Sequence, residues 1–445
     1  MTIEEKFWQL FMIPGDLSDG KERYKNGIFG FQVDAKGNSG NESEQLLEYA
    51  DGSSAEDTAI LINKIQKYFV EETRLGIPII PFDETLHGLI RTGATAFPQA
   101  IGLAATWNTE LMREVSTAIA LETKSRGIRQ VLSPVMNIAR DVRWGRTEET
   151  YGEDPFLTTR MAMAFVESFE QRGVITTPKH FAVNVGDGGR DSYPIHYSER
   201  LLEEIYFPAF KACFTQAGAR SVMTAYNSID GRPCTANNHL LNEKLKEEWG
   251  FKGFVITDAG AVGGATVLHN TASGYDDSTI QSLQNGLDVI FQTSYDHYPL
   301  FLKAFKDGLI QAEVIDNAVR RVLRAKFELG LFENPYVDPL KAKEVNACES
   351  HRKLAYKAAC ESVVLLKNDN KTLPLNKSIT SLAVIGEDAI EARLGGYSGP
   401  GNNPVSILDG IINKVGESCE VRYTLGANRI CPDFIPIPAE NLFHI

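Results

Sequence analysis

The chain has 445 residues, of which 43% are hydrophobic and 23% are charged, so its length fits one large globular domain and part of another. Its formal net charge of −13 argues against nucleic acid as the main partner, because phosphate binding requires clustered Lys and Arg. No apolar run approaches the roughly 20 residues that a membrane helix needs, so the sequence indicates no membrane partner.

The first residues, "MTIEEKFWQLFMIPG", predict an acidic amphipathic helix rather than a leader peptide. A leader would begin with a basic region followed by an apolar stretch, and neither is present. The compartment stays open: secreted or periplasmic if a leader has been removed, and cytoplasmic otherwise.

The six cysteines form no C-x-x-C pair and no zinc-binding spacing. We interpret them as mostly buried thiols, and a Cys419–Cys431 pair stays possible. The pattern predicts no metal site.

Six short apolar runs, separated by longer helical patterns, predict β-strands. They cover residues 76–82, 128–139, 174–183, 219–227, 253–257 and 287–291. Alternating strands and helices with nearly continuous apolar strands are typical of a parallel sheet covered on both faces. Because no Gly-rich dinucleotide fingerprint follows the first strand, we expect a (β/α)8-type, TIM-like barrel rather than a Rossmann fold.

We expect the barrel domain to span residues 1–335. A helix ending at Gly330 closes it, because Val319, Val322, Leu323 and Phe327 share one helical face. A linker and a helix at about 350–366 fill residues 336–375. The stretch "SLAVIGEDA" (381–389) predicts the first strand of a second α/β sandwich domain over 376–445, which looks incomplete.

Polar side chains cluster where the predicted strands end. They are Asp83, Glu84 and His87; Arg143 and Arg146; Lys179 and His180; Tyr226 and Asn227; and Asp258. Each one alone fits a cap, a buried ion pair or a core histidine. In a parallel barrel, however, these strand ends converge on the face that carries the active site. The small residues after Asp258 leave its carboxylate open to a ligand.

Seven stretches resemble glycoside hydrolase family 3, which includes bacterial β-glucosidases and β-xylosidases. They are "MTIEEKFWQL", "DETLHG", "ATAFPQAIGLAATWN", "SPVMNIARDVRWGRTEETYGEDP", "TPKHFAVN", "SVMTAYNSIDGRPCTAN" and "GFVITDAGAV". They occur in family order from residue 1 to about 410. The resemblance implies a barrel-like first domain, an α/β sandwich second domain, and a sugar held between them.

The resemblance also implies roles for individual residues. Asp258 matches the family nucleophile and Glu84 the acid that binds sugar hydroxyls. The residues that line the same subsite are Arg146, Lys179, His180 and Tyr226.

Elementary chemistry agrees with these roles. Retaining hydrolysis needs one carboxylate that attacks the anomeric carbon and a second carboxyl group about 5–5.5 Å away that protonates the leaving oxygen. The cations Lys179 and Arg146 favour an ionised Asp258. No step requires a metal or an organic cofactor. We therefore expect a retaining exo-acting β-glycosidase that releases terminal non-reducing glucose, or xylose, through a glycosyl-aspartate intermediate.

Two features depart from the family pattern. No proton donor is evident: His196 and the pair Glu387 and Glu391 are weak candidates, so we expect the donor to lie beyond Ile445 in a longer enzyme. Many family β-glucosidases have Asp where this chain has Glu84. The extra methylene favours a pentose, although one methylene changes discrimination by only about 1–3 kcal/mol.

Several alternatives remain at this stage. One is a β-xylosidase or α-L-arabinofuranosidase specificity, and another is a non-catalytic sugar-binding fragment that lacks its acid/base. A Schiff-base lyase using Lys179 leaves the longest matching motifs unexplained. A metal-dependent hydrolase using His87, His180 and Asp258 lacks an H-x-H or H-E-x-x-H spacing. The sequence gives no oligomeric state.

Overall fold

The computed structural model describes residues 1–37, 48–49 and 52–427. Cys431, and with it the possible Cys419–Cys431 pair, lies outside the described residues, as does most of the Pro-rich end of the chain. The described part forms two compact units. The first comprises residues 1–364 together with 395–402, and the second comprises 365–394 and the described residues from 403 onward.

The strands of the described residues are short. In chain order they are β1 Phe11–Pro14, β2 Gly30–Gln32, β3 Ala35–Lys36, β4 Glu48–Tyr49, β5 Phe82–Asp83, β6 Gln130–Val131, β7 Ile175–Thr176, β8 Ser221–Met223, β9 Ser228–Ile229, β10 Arg232–Pro233, β11 Phe254–Ile256, β12 Ile290–Phe291, β13 Ser381–Ile385 and β14 Glu420–Thr424.

Helices separate most of these strands, so the first unit has mixed α/β content. The α-helices are Ile3–Gln9, Ala55–Lys67, Ala100–Ala104, Thr109–Ser125, Pro155–Glu170, Glu199–Leu201, Pro208–Thr215, Ala261–Val267, Tyr275–Gln284, Tyr298–Lys306, Ala312–Glu328, Pro339–Val345, Glu349–Glu361 and Ile407–Val415. Tyr68–Glu72, Leu202–Tyr206 and His239–Glu248 are π-helical.

Three small parallel sheets make up the centre of the first unit. β1 pairs with both β2 and β12, β6 pairs with β5 and β7, and β8 pairs with β11. Backbone hydrogen bonds also link neighbouring sheets. Ile80 N donates to Phe29 O at 2.9 Å, Phe181 N donates to Met223 O at 2.8 Å, and Thr257 N donates to Val289 O at 3.2 Å.

Aromatic side chains from different sheets meet in one interior. The rings of Phe82 and Phe291 lie 5.6 Å apart, and those of Phe29 and Phe254 lie 5.5 Å apart, each pair in edge-to-face geometry. Such pairs contribute about 0.5–1.5 kcal/mol beyond their burial. The short strands therefore share a single core.

The six predicted strands all exist, but the structure corrects their lengths: each apolar run contributes only one to three residues to a strand. The sequence analysis missed β1 and β2. At Gly30 in β2, a Cβ atom would lie 1.8 Å from the carbonyl oxygen of Ile80. Only glycine permits this close approach between neighbouring chain segments.

The helices at the end of the first unit match the prediction in part. Ala312–Glu328 buries Val319 and Val322, and Gly330 has the expected left-handed φ of 67°. The helix predicted at about 350–366 is Glu349–Glu361, so residues 363–366 are not helical.

The second unit contains the parallel strands β13 and β14 and the helix Ile407–Val415. Ser406 caps this helix by accepting a hydrogen bond from Asp409 N at 3.0 Å. The strand predicted at 381–389 is β13, and it ends at Ile385. Within the described ranges of both units, every helix is too short or too polar to cross a bilayer.

Candidate active site

The polar residues that follow several strands of the first unit border one cavity. Its volume is about 430 Å³, which falls in the range of roughly 300–1,000 Å³ typical of small-molecule sites. Its walls are formed by Gln32, Glu84, Ile90, Leu132, Arg146, Glu149, Asp191, Met223, Tyr226, Asp258, Ala259, Phe291 and Tyr397. Four of the six predicted site residues are in this wall, and the other two, Lys179 and His180, bond directly to it.

Asp258 lies two residues beyond the end of β11 and is 8% exposed. Its Oδ1 accepts a hydrogen bond from Ala259 N at 2.8 Å. Its Oδ2 has no hydrogen-bond partner among the residues that the structure describes. Gly260 takes a left-handed φ of 74° just before the helix Ala261–Val267, so no bulky side chain covers the carboxylate.

The pKa of Asp258 differs from the expectation based on neighbouring charges alone. Burial raises this pKa, while the positive charges of Arg146 and Lys179 oppose the rise without cancelling it. The sequence identified the two cations but not the extent of burial. The carboxylate is therefore less solvated, and more basic, than the sequence predicted.

Glu84 follows β5 and forms a buried ion pair. Lys179 Nζ donates to Glu84 Oε1 at 2.7 Å, and both side chains are almost fully buried. Glu84 Oε2 lacks a hydrogen-bond partner within the described part of the chain. Burial raises the pKa of Glu84 to about 7, against the opposing effect of Lys179.

Arg146 is held by carboxylates on two sides. Its Nε and Nη2 donate to Glu149 at 2.9 Å each, and its Nη1 donates to Asp191 at 3.2 Å. Its Nη2 also lies 3.1 Å from His180 Nε2. Bidentate carboxylate pairing fixes the plane of the guanidinium, so its position does not depend on a bound ligand.

His180 lies between Arg146 and Asp258. Because a guanidinium only donates, His180 Nε2 accepts the contact from Arg146 and carries no proton. Burial lowers the pKa of His180 well below its ordinary range, and the charges of Arg146 and Lys179 lower it further. The imidazole is therefore neutral, with its Nε2 3.5 Å from Asp258 Oδ2.

Tyr226 is placed beside the carboxylate by the residues after β8. Its hydroxyl donates to Ala259 O at 3.1 Å. Burial raises the pKa of this hydroxyl well above its ordinary value, and the charge of Asp258 adds to the rise. Tyr226 therefore stays protonated, and while its proton is donated to Ala259 O, its oxygen can accept a hydrogen bond in the cavity.

Tyr397 is a cavity residue that the sequence analysis missed. It belongs to the segment 395–402, which the structure groups with the first unit. Lys179 Nζ lies 4.9 Å from the centre of its ring, and the Arg146 guanidinium lies 5.9 Å away. These separations fit cation–π contacts. Tyr397 also has a left-handed φ of 49°, which is uncommon for a bulky residue.

Three contacts attach the segment 395–402 to the residues around the cavity. Gly396 N donates to Glu148 Oε1 at 2.8 Å, and Ser398 Oγ lies 2.8 Å from His87 Nε2. Gly399 packs so closely that a Cβ atom there would lie 2.8 Å from Arg91 N. Since His87 Nδ1 also contacts Phe97 O at 2.8 Å, this histidine holds loops together and is not in the cavity wall.

The remaining candidates lie elsewhere. Arg143 is exposed and pairs with Asp141, while Asn227 is buried behind the wall and accepts a hydrogen bond from Asn184 N. His196 is exposed and pairs with Asp230 at 3.2 Å. Glu387 and Glu391 belong to the second unit, where Arg393 pairs with both.

The sequence analysis also missed Glu149 and Asp191 as wall residues. Glu149 occurs in a quoted motif that also contains Arg140, Arg143 and Arg146, so the sequence does not indicate which arginine it pairs with. No group of three or more His, Cys, Asp or Glu residues in the described ranges is arranged to hold a metal ion.

Comparison with family models matches most of the chain. The model for the glycosyl hydrolase family 3 N terminal domain matches residues 2–325, and the model for the C-terminal domain of the same family matches residues 363–435. The chain belongs to glycosyl hydrolase family 3. The first matched range, residues 2–325, contains every polar residue described around the cavity except Tyr397. Tyr397 falls in the second matched range, residues 363–435.

Curated relatives carry two kinds of name. A β-xylosidase of Formosa agariphila is 37% identical over 391 residues, covering 80% of this chain and 53% of that protein. A periplasmic β-glucosidase of Salmonella typhimurium is 34% identical over 445 residues, covering 96% of this chain and 55% of that protein. The chain therefore spans about half the length of the curated relatives it matches.

Solved structures give a consistent result. A β-glucosidase from Erythrobacter marinus superposes with a TM-score of 0.86 at 34% identity, covering 96% of this chain and 57% of that one. A β-glucosidase from Listeria innocua in complex with glucose superposes with a TM-score of 0.81 at 28% identity, covering 99% and 60%.

Proposed function

We propose that this chain carries the glycone-binding and nucleophilic part of a retaining, exo-acting β-glycosidase. Its substrates are short oligosaccharides with a terminal non-reducing β-linked glucose or xylose. The observation that carries the proposal is Asp258 Oδ2, which borders the cavity without a hydrogen-bond partner in the described structure. Family membership and relatives named β-glucosidase and β-xylosidase support the reaction class.

The proposed fold of the first domain, residues 1–335, is a (β/α)8-type barrel. Eight strands, β1, β2, β5, β6, β7, β8, β11 and β12, would form it in chain order. Their support is the set of parallel pairs and the hydrogen bonds between neighbouring sheets, together with the pairing of β12 with β1. Residues 376–445 would contribute to a separate α/β sandwich domain.

In the proposed mechanism, Asp258 Oδ2 attacks the anomeric carbon as the bond to the leaving oxygen breaks. The leaving oxygen takes a proton from a general acid, and water later hydrolyses the glycosyl–Asp258 ester. The raised pKa of Asp258 makes the carboxylate a better nucleophile, provided that Arg146 and Lys179 keep it ionised.

The other polar groups bind the sugar in this proposal. Glu84 Oε2 accepts from one or two hydroxyls, and Lys179 donates to them, because charge-assisted hydrogen bonds fix the ring strongly. Arg146, His180 and Tyr226 complete the set of partners. Glu149 and Asp191 are committed to Arg146, so we assign neither of them as the general acid.

Turnover of p-nitrophenyl β-glucoside and β-xyloside tests the proposal. Asp258→Asn should lower the rate on the order of 10⁴-fold, since removal of a nucleophile abolishes the covalent route. Asp230→Asn, an exposed aspartate, serves as the matched control. Equal rates in the two variants would contradict the proposal. Calorimetric binding of glucose or xylose by an unaltered chain without turnover would select the non-catalytic sugar-binding alternative.

A further inference from the structure

Asn137 is a buried amide behind the cavity, and its side chain forms four hydrogen bonds. Its Nδ2 donates to His180 O at 2.9 Å and to Val183 O at 3.1 Å. Its Oδ1 accepts from His180 N at 2.9 Å. The two carbonyl acceptors and the one backbone N–H donor leave a single orientation for this amide. A flipped amide would place Oδ1 against two carbonyl oxygens and Nδ2 against an N–H group.

The fourth hydrogen bond fixes the state of the His180 ring. Asn137 Oδ1 lies 2.9 Å from His180 Nδ1, and since Oδ1 can only accept, Nδ1 must carry the proton. On the other side of the ring, Arg146 Nη2 donates to Nε2 at 3.1 Å. Two independent contacts thus specify the same neutral tautomer, with a lone pair on Nε2.

This tautomer matters because His180 Nε2 lies 3.5 Å from Asp258 Oδ2. A proton on Nε2 would point toward that oxygen and form a charge-assisted hydrogen bond with it. Such a bond would stabilise the carboxylate and reduce its basicity, so the bond would have to break before the oxygen could attack. With a lone pair on Nε2, the oxygen stays free.

We propose that Asn137 is a positioning residue, which holds His180 in the Nδ1–H tautomer so that Asp258 Oδ2 remains available for nucleophilic attack. This inference rests on the proposed function of Asp258. Asn137 does not touch the cavity and would act only through His180. A plainer role, in which Asn137 only fixes the backbone of residues 180–183, makes different predictions.

Several charged or polar groups face the His180 ring. Arg146 and Lys179 act on its charge, Asp258 Oδ2 lies 3.5 Å from Nε2, and the side-chain amide of Asn184 lies at Nδ1, with its Nδ2 at 3.2 Å. A protonated Nδ1 requires this amide in the reversed orientation, in which Asn184 Oδ1, without a partner in the described structure, accepts from Nδ1–H. Glu149 and Asp191 reach the ring only through Arg146. A new carboxylate at position 137 would contact Nδ1 directly, so it should dominate any change in the ring's protonation.

Nitrogen-15 NMR of the unaltered full chain tests the tautomer without any turnover. The His180 signals, assigned by their loss in His180→Gln, should indicate a protonated Nδ1 and an unprotonated Nε2 at neutral pH. A ring protonated at Nε2, or at both nitrogens, would overturn the inference.

The link to reactivity is tested with a dinitrophenyl β-glucoside that carries fluorine beside the anomeric carbon. Its leaving group departs without a proton donor, so the rate of covalent labelling reports only the nucleophile. In Asn137→Asp, the carboxylate should stabilise the imidazolium and raise the pH at which His180 takes up a proton by about one to three units. Labelling should therefore be slow below that pH and recover above it.

Asn227→Asp is the matched control, since Asn227 is a buried amide that contacts Asn184 N rather than the His180 ring. Asn227→Asp should not shift the pH below which covalent labelling is slow. A shift of equal size in both variants, or a pH-independent loss in Asn137→Asp, would contradict the inference. If the unaltered chain is not labelled at all, the proposed function fails, while the NMR result still decides on the tautomer.

Discussion

Two of the carboxylates that border the cavity, Glu84 and Asp258, have different surroundings. Glu84 is paired with Lys179 at 2.7 Å, whereas Asp258 has cations nearby and its Oδ2 has no hydrogen-bond partner in the described structure. Both carboxylates are buried, and each has one oxygen without a partner among the described residues.

This difference in surroundings suits one carboxylate to sugar binding and the other to nucleophilic attack. A carboxylate fixed by an ion pair can accept sugar hydroxyls without moving, which suits Glu84. A carboxylate whose nearest imidazole offers only a lone pair keeps a reactive oxygen, which suits Asp258. The same residue type thus takes two proposed roles because of the groups that surround it.

Glu84→Gln should have the largest effect on the sugar-binding role proposed for Glu84. It removes the charge that pairs with Lys179 and would accept sugar hydroxyls, and a hydrogen bond to a charged group contributes about 1.5–3 kcal/mol. We expect the Kd for glucose, measured by calorimetry above about pH 7 where Glu84 is ionised, to rise about 10- to 150-fold. Glu84→Asp retains the charge and should lose less affinity. Equal losses of affinity in the two variants would contradict the role of this charge in binding.

The pH dependence of stability sharpens the comparison further. Because the pKa of Glu84 is raised from 4.5 to about 7, the folded protein holds a proton in this range that the unfolded chain has released. The contribution of Glu84 to the free energy of unfolding therefore falls as the pH rises through this range and is constant above it. Relative to Glu84→Gln, the unaltered protein should lose stability between about pH 4.5 and 7. If the stability of the unaltered protein relative to Glu84→Gln rose with pH, the raised pKa of Glu84 would be contradicted.

Tyr397 contacts both Lys179, which pairs with Glu84, and Arg146, which lies near Asp258. Its replacement should therefore have a smaller effect on sugar binding than that of Glu84. Tyr397→Leu removes contacts with Lys179 and Arg146, each worth about 0.5–2 kcal/mol. We expect the Kd for glucose, measured by calorimetry, to rise about 2- to 30-fold. Tyr356→Leu, at an exposed position on Glu349–Glu361, is the control. An unchanged Kd in Tyr397→Leu would show that the ring does not order these cations.

Local signals predicted most of the site but not all of it. Apolar runs such as "GFVIT" located the strands, and the polar residues that follow them identified Asp258 and Glu84. The strand at Gly30–Gln32 was missed because its glycine reflects a tertiary contact with Ile80 rather than strand propensity. Tyr397 was assigned to the second domain, since no nearby pattern indicates that residues 395–402 pack with the first unit.

Covalent labelling with the fluorinated dinitrophenyl β-glucoside, followed by peptide mass spectrometry, tests the central claim most directly. We predict one sugar per chain, attached to Asp258, and no labelling of Asp258→Asn. A label on Glu84, or turnover without any labelled peptide, would contradict the division of roles between the two carboxylates.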